Sequence, residues 1–300
     1  MIPKAKALKL VGIYLYICKL HNQELKHLSQ RYTNNDNPEF TDQEIMTIYL
    51  FSVQQEQRFS ISLIYKFADQ YLRSWFPALP TYQAFNNRLN RLSEAFKAVA
   101  AHSFSAFTPA ECNLDVSLLD SMPIITCSGK RKAKVALEIV DKGYCSTKSL
   151  FYYGLKLHTL AFQAPKRMPF PEQMILTQAS ESDLNVFKQD WSNIPNRTFF
   201  GDKIYNDNTF FKAIAININA VMLTPVKGVK GQPEVICQRD KAANDLFSKA
   251  VSTIRQPIEA LFNWLIVKTD IQRASKTRST KGLLVHVFGK IAAAFIYLSF

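Results

Sequence analysis

The apolar pattern of this 300-residue chain changes period between Pro109 and Asn113, and that change limits the fold more than any other feature. Before it, apolar residues recur at three- and four-residue spacing, as they do in helices that bury one face. In "PTYQAFNNRLNRLSEAFKAVAAHSF" the stripe is Tyr82, Phe85, Leu89, Leu92 and Phe96, and the segment reads as one helix capped by Thr81. "TDQEIMTIYLFSVQQ" opens with Thr41 and carries Glu44 three residues on, a capping box. "LKLVGIYLYICKLHNQEL" and "SISLIYKFADQYLRSWF" are further helix candidates. After the change come short strand-like runs: "VSLLDSMPII", "SLFYYGLKLHTLAF", "QMILTQAS", "RTFFGDKIY" and "AVMLTPV". Helical stretches separate the later ones, among them the long "KAANDLFSKAVSTIRQPIEALFNWLIVKT". Strands first, then strand–helix alternation, predict a mixed sheet flanked by helices. The expected organisation is an all-helical N-terminal domain over 1–112 and an α/β domain over 113–300.

Charge adds a partner. The net charge is +13, and it is unevenly spread: 12 basic against 9 acidic residues over 1–112, 25 against 15 over 113–300. The excess concentrates in "GKRKAK", with Lys130, Arg131 and Lys132, and in "QRASKTRSTKG", with Arg273, Lys276 and Arg278. Two such runs predict contact with a polyanion, most simply DNA. The helix from Thr81 shows Gln83, Asn87, Asn90 and Arg91 on its polar side, with Asn86 and Arg88 at the edges. These side chains suit base edges and phosphates, so either a helix-turn-helix or an ordinary solvated helix face fits.

Other classes are disfavoured. The five cysteines are scattered and form no C-x-x-C pair, which argues against a zinc cage or a disulfide framework. The first twenty residues carry lysines within their apolar run and no small-residue cleavage site, so no secretory signal is expected. The apolar C-terminal stretch is interrupted by His286 and Lys290 and reads as a buried helix rather than a membrane span. The expected location is cytoplasmic and nucleoid-associated, with no membrane partner.

Three acids stand out. Asp120 follows "VSLL", Asp202 follows "TFFG", and Glu259 lies among apolar residues on the long helix, just after Pro257. Carboxylates placed at strand ends and on a neighbouring helix repel one another unless a cation joins them. Hard divalent ions take oxygen ligands, and two of them about 3.5–4 Å apart can serve both the attacking and the leaving oxygen at a phosphodiester. Each acid also has an ordinary explanation. Asp120 before Ser121 and Asp202 after Gly201 could cap turns. Arg255 and Glu259, four residues apart, could form a surface pair worth about 0.2–0.5 kcal/mol.

The blocks "LLDSMPI", "YYGLKLHTLAF", "LTQASESDL", "FFGDKIYND" and "RQPIEALFNWL", in this order, resemble the motifs of DDE transposases of bacterial insertion sequences. The similarity is to the insertion sequence 982 family and extends over essentially the whole chain. It includes "FTDQEIMTIYLF", "SWFPALPTYQAFNNRLNRL" and "DIQRASKTRSTKGLLVHVFGKIAAAF". The resemblance implies a ribonuclease H-like catalytic fold with Asp120, Asp202 and Glu259 as metal-binding catalytic acids. It implies two magnesium ions (Mg2+), with manganese as a substitute, hydrolysis at the element's ends and transfer of the freed 3′-hydroxyl into target DNA. Its DNA partners are then the terminal inverted repeats and the target, held by a homodimer or larger assembly. Many relatives carry Y-x-x-R-x-x-x-E-x-x-x-x-x-x-K around the glutamate. Here Arg255 and Glu259 match, whereas Ser252 and Ile266 stand at the tyrosine and lysine places.

The expected DNA contacts are Arg255, Lys203, Lys156, the Lys130–Lys132 run, Arg273, Lys276 and Arg278, with Arg88 and Arg91 in the helical region. Lys203 meets a phosphate only if its strand has ended before it. Lys156 and His158 share one strand face, the histidine as a structural residue. Tyr205 is expected to pack in the core. A nuclease that cuts without joining, or an inactive DNA-binding relative, are the alternatives.

Overall fold

The computed structural model describes residues 2–29, 38–146, 148–227 and 234–299, with the side chains of residues 236 and 237 left out. The Gly-, Pro- and Lys-rich stretch "PVKGVKGQPEV" over 225–235, whose composition predicts a loop, therefore falls largely outside the described residues. In chain order come helices α1 (Lys4–Leu20), α2 (Lys26–Leu28), α3 (Asp42–Glu56), α4 (Ile61–Phe67), α5 (Tyr82–Arg91) and α6 (Ser93–Ala106). Strands β1 (Asn113–Ser128), β2 (Asp141–Cys145), β3 (Leu150–Gln163) and β4 (Phe170–Gln178) follow. Then come α7 (Asp183–Val186), β5 (Thr198–Phe200), α8 (Asn208–Ile218), β6 (Val221–Leu223), α9 (Glu234–Arg255), α10 (Pro257–Thr269), α11 (Thr280–Leu284) and α12 (Lys290–Ile296). The mixed α/β class read from the sequence is the observed one.

Packing divides the chain into two compact units. One is Met1–Phe107, Ile125–Val140 and Leu265–Phe300; the other is Thr108–Ile124 and Asp141–Trp264. The single boundary expected near residue 112 differs from this division, because the C-terminal helices belong with the N-terminal ones. The reason is burial. Every residue of α12 is buried, and an apolar segment of this kind needs apolar partners, which it finds on α3 and α6. No described helix is long and apolar enough to cross a membrane.

In this helical unit α3 is central. Thr41 accepts a hydrogen bond from Glu44 N–H, Glu44 accepts from Thr41 N–H, and all nine residues from Ile45 to Val53 are buried. Gly289 lets the C-terminal helices approach: a Cβ there would come 2.6 Å from Cε1 of Tyr49. The helix expected from Thr81 is capped by that threonine, but it is two helices. Leu92, at φ −88° and ψ 15°, closes a tight turn by donating its N–H to Leu89 O at 3.0 Å. The break keeps Phe85, Leu89, Leu92 and Phe96 in the core, while Tyr82 is 41% exposed and lies outside it.

In the other unit the sheet order is β2-β3-β1-β5-β6, with β4 also paired to β3. β3 runs antiparallel to β2 and β4, and β5 is parallel to both β1 and β6. β2 was not anticipated, because "DKGYC" carries no apolar alternation of its own. Arg197, at the foot of β5, donates to Ser117 of β1 at 2.7 Å and to Glu172 of β4 at 2.8 Å. One core cluster joins Leu119, Leu160 and Phe199 of the sheet to Val186, Phe187, Trp191, Tyr205 and Ile214.

Candidate active site

The short stretch after β5 sets the position of Asp202. Gly201 still donates to Leu223 O at 3.1 Å, so it ends the β5–β6 pairing. The Asp202 carboxylate then accepts from Ile204 N–H at 2.8 Å, turning the chain, and Tyr205 folds back against Gly201. A Cβ at Gly201 would lie 2.5 Å from Cδ2 of that ring, so the close approach requires glycine. Tyr205 thereby enters the core at 3% exposure, as expected, and Lys203 is left exposed on the turn, past the end of the strand.

Asp120 lies within β1 rather than at its end, between buried Leu119 and Met122 on one side of the chain and the other. One carboxylate oxygen accepts from Ser121 N–H at 2.8 Å and the other from Arg255 at 2.7 Å. Arg255 also donates to Glu259 at 3.1 Å. The expected single long helix breaks here. α9 ends at Arg255 and α10 begins at Pro257, whose ring cannot supply the N–H that a continuous helix needs. Glu259 therefore sits in the first turn of α10, its side chain 58% exposed, while Ile258, Leu261 and Leu265 are buried.

Burial pushes the carboxyl of Asp120 up to about 6, and the charge of Asp202 adds to the shift. The Arg255 charge and the Ser121 N–H oppose it without cancelling it.

A fourth acid joins this neighbourhood. Asp183, at the start of α7, has Oδ1 2.9 Å from Nδ1 of buried His158 and 3.7 Å from Nζ of Lys156. Burial alone raises its pKa, but hydrogen bonding from His158, the Lys156 charge and a hydrogen bond from Ser121 outweigh this and lower it. Lys156 and His158 thus share a face, as the strand alternation predicts. Lys156 is committed by a 2.6 Å bond to Glu181 O, and His158 by a 2.8 Å contact with Thr177 Oγ1. The Tyr205 hydroxyl is buried without a hydrogen-bond partner among the described residues. Burial and then the charges of Asp183, Asp120 and Asp202 push its phenol pKa well upward. Sequence reading assigned Asp183 no role. Its signal was an acid five residues past the end of a strand, at a helix start.

The remaining basic residues are distributed. Lys130, Arg131 and Lys132 are exposed in the turn after β1. Arg273, Lys276 and Arg278 are exposed between α10 and α11. Arg91 is exposed on α5. Arg88 differs: it donates to Asp42 at 2.7 Å and to the carbonyl of Phe40, and so is engaged within the helical unit.

Asp120, Asp202 and Glu259 offer only oxygen donors, the kind that hard divalent cations take. Yet among the described residues no three His, Cys, Asp or Glu side chains are grouped closely enough to hold a metal ion. Arg255 occupies one oxygen of Asp120 and one of Glu259. No family model, curated protein or solved structure matches the chain.

Proposed function

We propose that the chain is a DDE-type DNA transposase with a ribonuclease H-like catalytic fold, in which Asp120, Asp202 and Glu259 are the metal-binding acids. The observation that carries the reading is Asp120: a half-buried carboxyl within a strand, close enough to Asp202 to feel its charge, tied through Arg255 to Glu259. The sheet order supports it, with antiparallel pairing around β3 and parallel β1, β5 and β6, so that Asp120 on β1 neighbours the strand that ends just before Asp202. The ordered motif blocks support it independently.

Bound magnesium, or manganese in its place, supplies Lewis acidity and an activated oxygen at a phosphodiester. The chain's own contribution is to place and release charge. For Asp120 and Glu259 to hold a cation, Arg255 must leave at least one of them. Its planar fork is then free to bind a phosphate oxygen pair, which a lysine could not do bidentately. Lys203, exposed beside Asp202, is available to the same polyanion. The two element ends must be held together, so a homodimer or larger assembly is part of the proposal, as is a place at the nucleoid.

The test is cleavage and strand transfer on DNA carrying the element's terminal repeats, with magnesium. Asp202→Asn should reduce both by about a thousandfold or more, the scale of several kcal/mol of lost transition-state stabilisation, with DNA binding retained. Unchanged cleavage in that variant defeats the assignment. Cleavage without joining in the unsubstituted protein identifies a nuclease, and DNA binding with neither step identifies an inactive relative.

A further inference from the structure

Two sequence features almost two hundred residues apart meet in the helical unit. A groove of about 770 Å³ has one wall from α5, where Tyr82, Asn86 and Asn90 recur every four residues and so share a face. The facing wall is the basic run between α10 and α11, with Arg273, Lys276 and Arg278. Its volume lies in the range of about 300–1,000 Å³ usual for sites that enclose small organic ligands. We infer that this groove binds one unpaired nucleotide of a DNA strand, its phosphate against the basic wall and its base against Tyr82, with the base edge at Asn86 and Asn90.

Each wall supplies one part of that recognition. Arg273 is 83% exposed, with Asp270, the only acid among the lining residues, 3.9 Å away. Lys276 is exposed with no ion pair among the described residues. Among the described residues Arg278 bonds only to the carbonyls of Ser275 and Thr277, and no carboxylate there pairs with its charge. Three cations on one wall suit a phosphate. On the other wall the Tyr82 ring, 41% exposed, is held edge-to-face by Tyr65 at 5.5 Å and offers a face for stacking. Asn90 carries the strongest pointer. Its Oδ1 is buried against Gly282 and has no hydrogen-bond partner among the described residues, a cost that a ligand N–H would remove once the side chain turns into the groove. An amide is also the side chain that reads a base edge with one donor and one acceptor. A duplex keeps its bases stacked and its edges at the bottom of grooves, so a half-open groove with a stacking ring suits a base outside the helix.

The inference is independent of the carboxylate site, and its test uses neither metal nor element sequence. Full-length protein in EDTA is titrated against a fluorescein-labelled oligo-dT about 12 nucleotides long, within the usual footprint of strand-binding surfaces, and against a duplex of that length. Tyr82→Ala and Asn90→Leu should each weaken single-strand binding by about tenfold and leave duplex binding unchanged, while Tyr82→Trp keeps it. Arg273→Ala with Lys276→Ala should weaken strand binding and flatten its salt slope by about 1.4, the share of two phosphates. Circular dichroism checks folding, and Asn86→Ala replaces Asn90→Leu if the latter does not fold. Wild-type strand binding by the Tyr82 and asparagine variants, or equal losses for strand and duplex, overturns the inference in favour of a plain basic surface.

Discussion

Asp120, half-buried, and Lys290, fully buried, are ionisable side chains, one in each compact unit, and they are compensated in different ways. Asp120 meets a guanidinium and a backbone N–H. Lys290, 1% exposed, donates to the backbone carbonyl of Asp270 at 3.0 Å and lies 5.5 Å from the Phe59 ring centre. His286, 3.5 Å away, donates its Nε2–H to Ile271 O and so offers Lys290 no lone pair at that nitrogen. Burial pushes Lys290 down to about 7, with the Asp270 charge opposing, and pushes His286 down to about 3, with the Lys290 charge adding. Asp120's main partner is a side chain that can move to another ligand. The partners of Lys290 are backbone and ring, which cannot. Exchangeable compensation suits a site of chemistry, whereas fixed compensation suits a structural position.

The largest expected loss is from Arg255→Ala. It leaves half-buried Asp120 without its cation and should destabilise the protein by about 1–3 kcal/mol at pH 7, read from urea unfolding. A loss below 1 kcal/mol would mean that Arg255 already spends its time elsewhere. Lys290→Met acts in the opposite sense, and should stabilise by about 1–4 kcal/mol near pH 7. The sign follows from linkage. The folded pKa of about 7 lies below the unfolded value of 10.5, so the unfolded chain binds more protons between them. Stability should therefore rise with pH across that window, by at most about 1.4 kcal/mol per pH unit, and the methionine variant should lose this rise.

Asp120→Asn is the mirror case and smaller. Its folded pKa, about 6, lies above the ordinary 3.8, so the carboxyl favours the fold below pH 4 and this contribution disappears as pH rises through 6. The amide should gain about 1–3 kcal/mol at pH 7 and flatten the curve between pH 4 and 6. A destabilised Asp120→Asn would show that Arg255 needs the full charge. The smallest effect is Thr41→Ala, which removes one half of the α3 capping box and should cost about 1 kcal/mol of thermal stability with no change in pH dependence.

Much of this was readable in one dimension. The capping box at Thr41, the helix start at Thr81, the shared face of Lys156 and His158, and the strands around Asp120 and Asp202 depend on interactions within a few residues. Local pattern therefore specifies them. The break at Leu92 was hidden because both halves continue one apolar stripe. The place of Asp183 was hidden because its partners, Lys156, His158 and Ser121, lie on two other strands.

The amino-acid sequence by itself determined the mixed α/β class and the surplus of positive charge, and it singled out three acids as candidates. Periodicity, capping and charge are sums over neighbours along the chain. Tertiary structure alone decided that the C-terminal helices pack with the N-terminal ones, that Arg255 joins Asp120 to Glu259, and that Asn90 lines one groove with the Arg273–Arg278 run. Each of these joins residues far apart in sequence. Which distant surfaces meet is set by competition for buried apolar area, and no local pattern records its outcome.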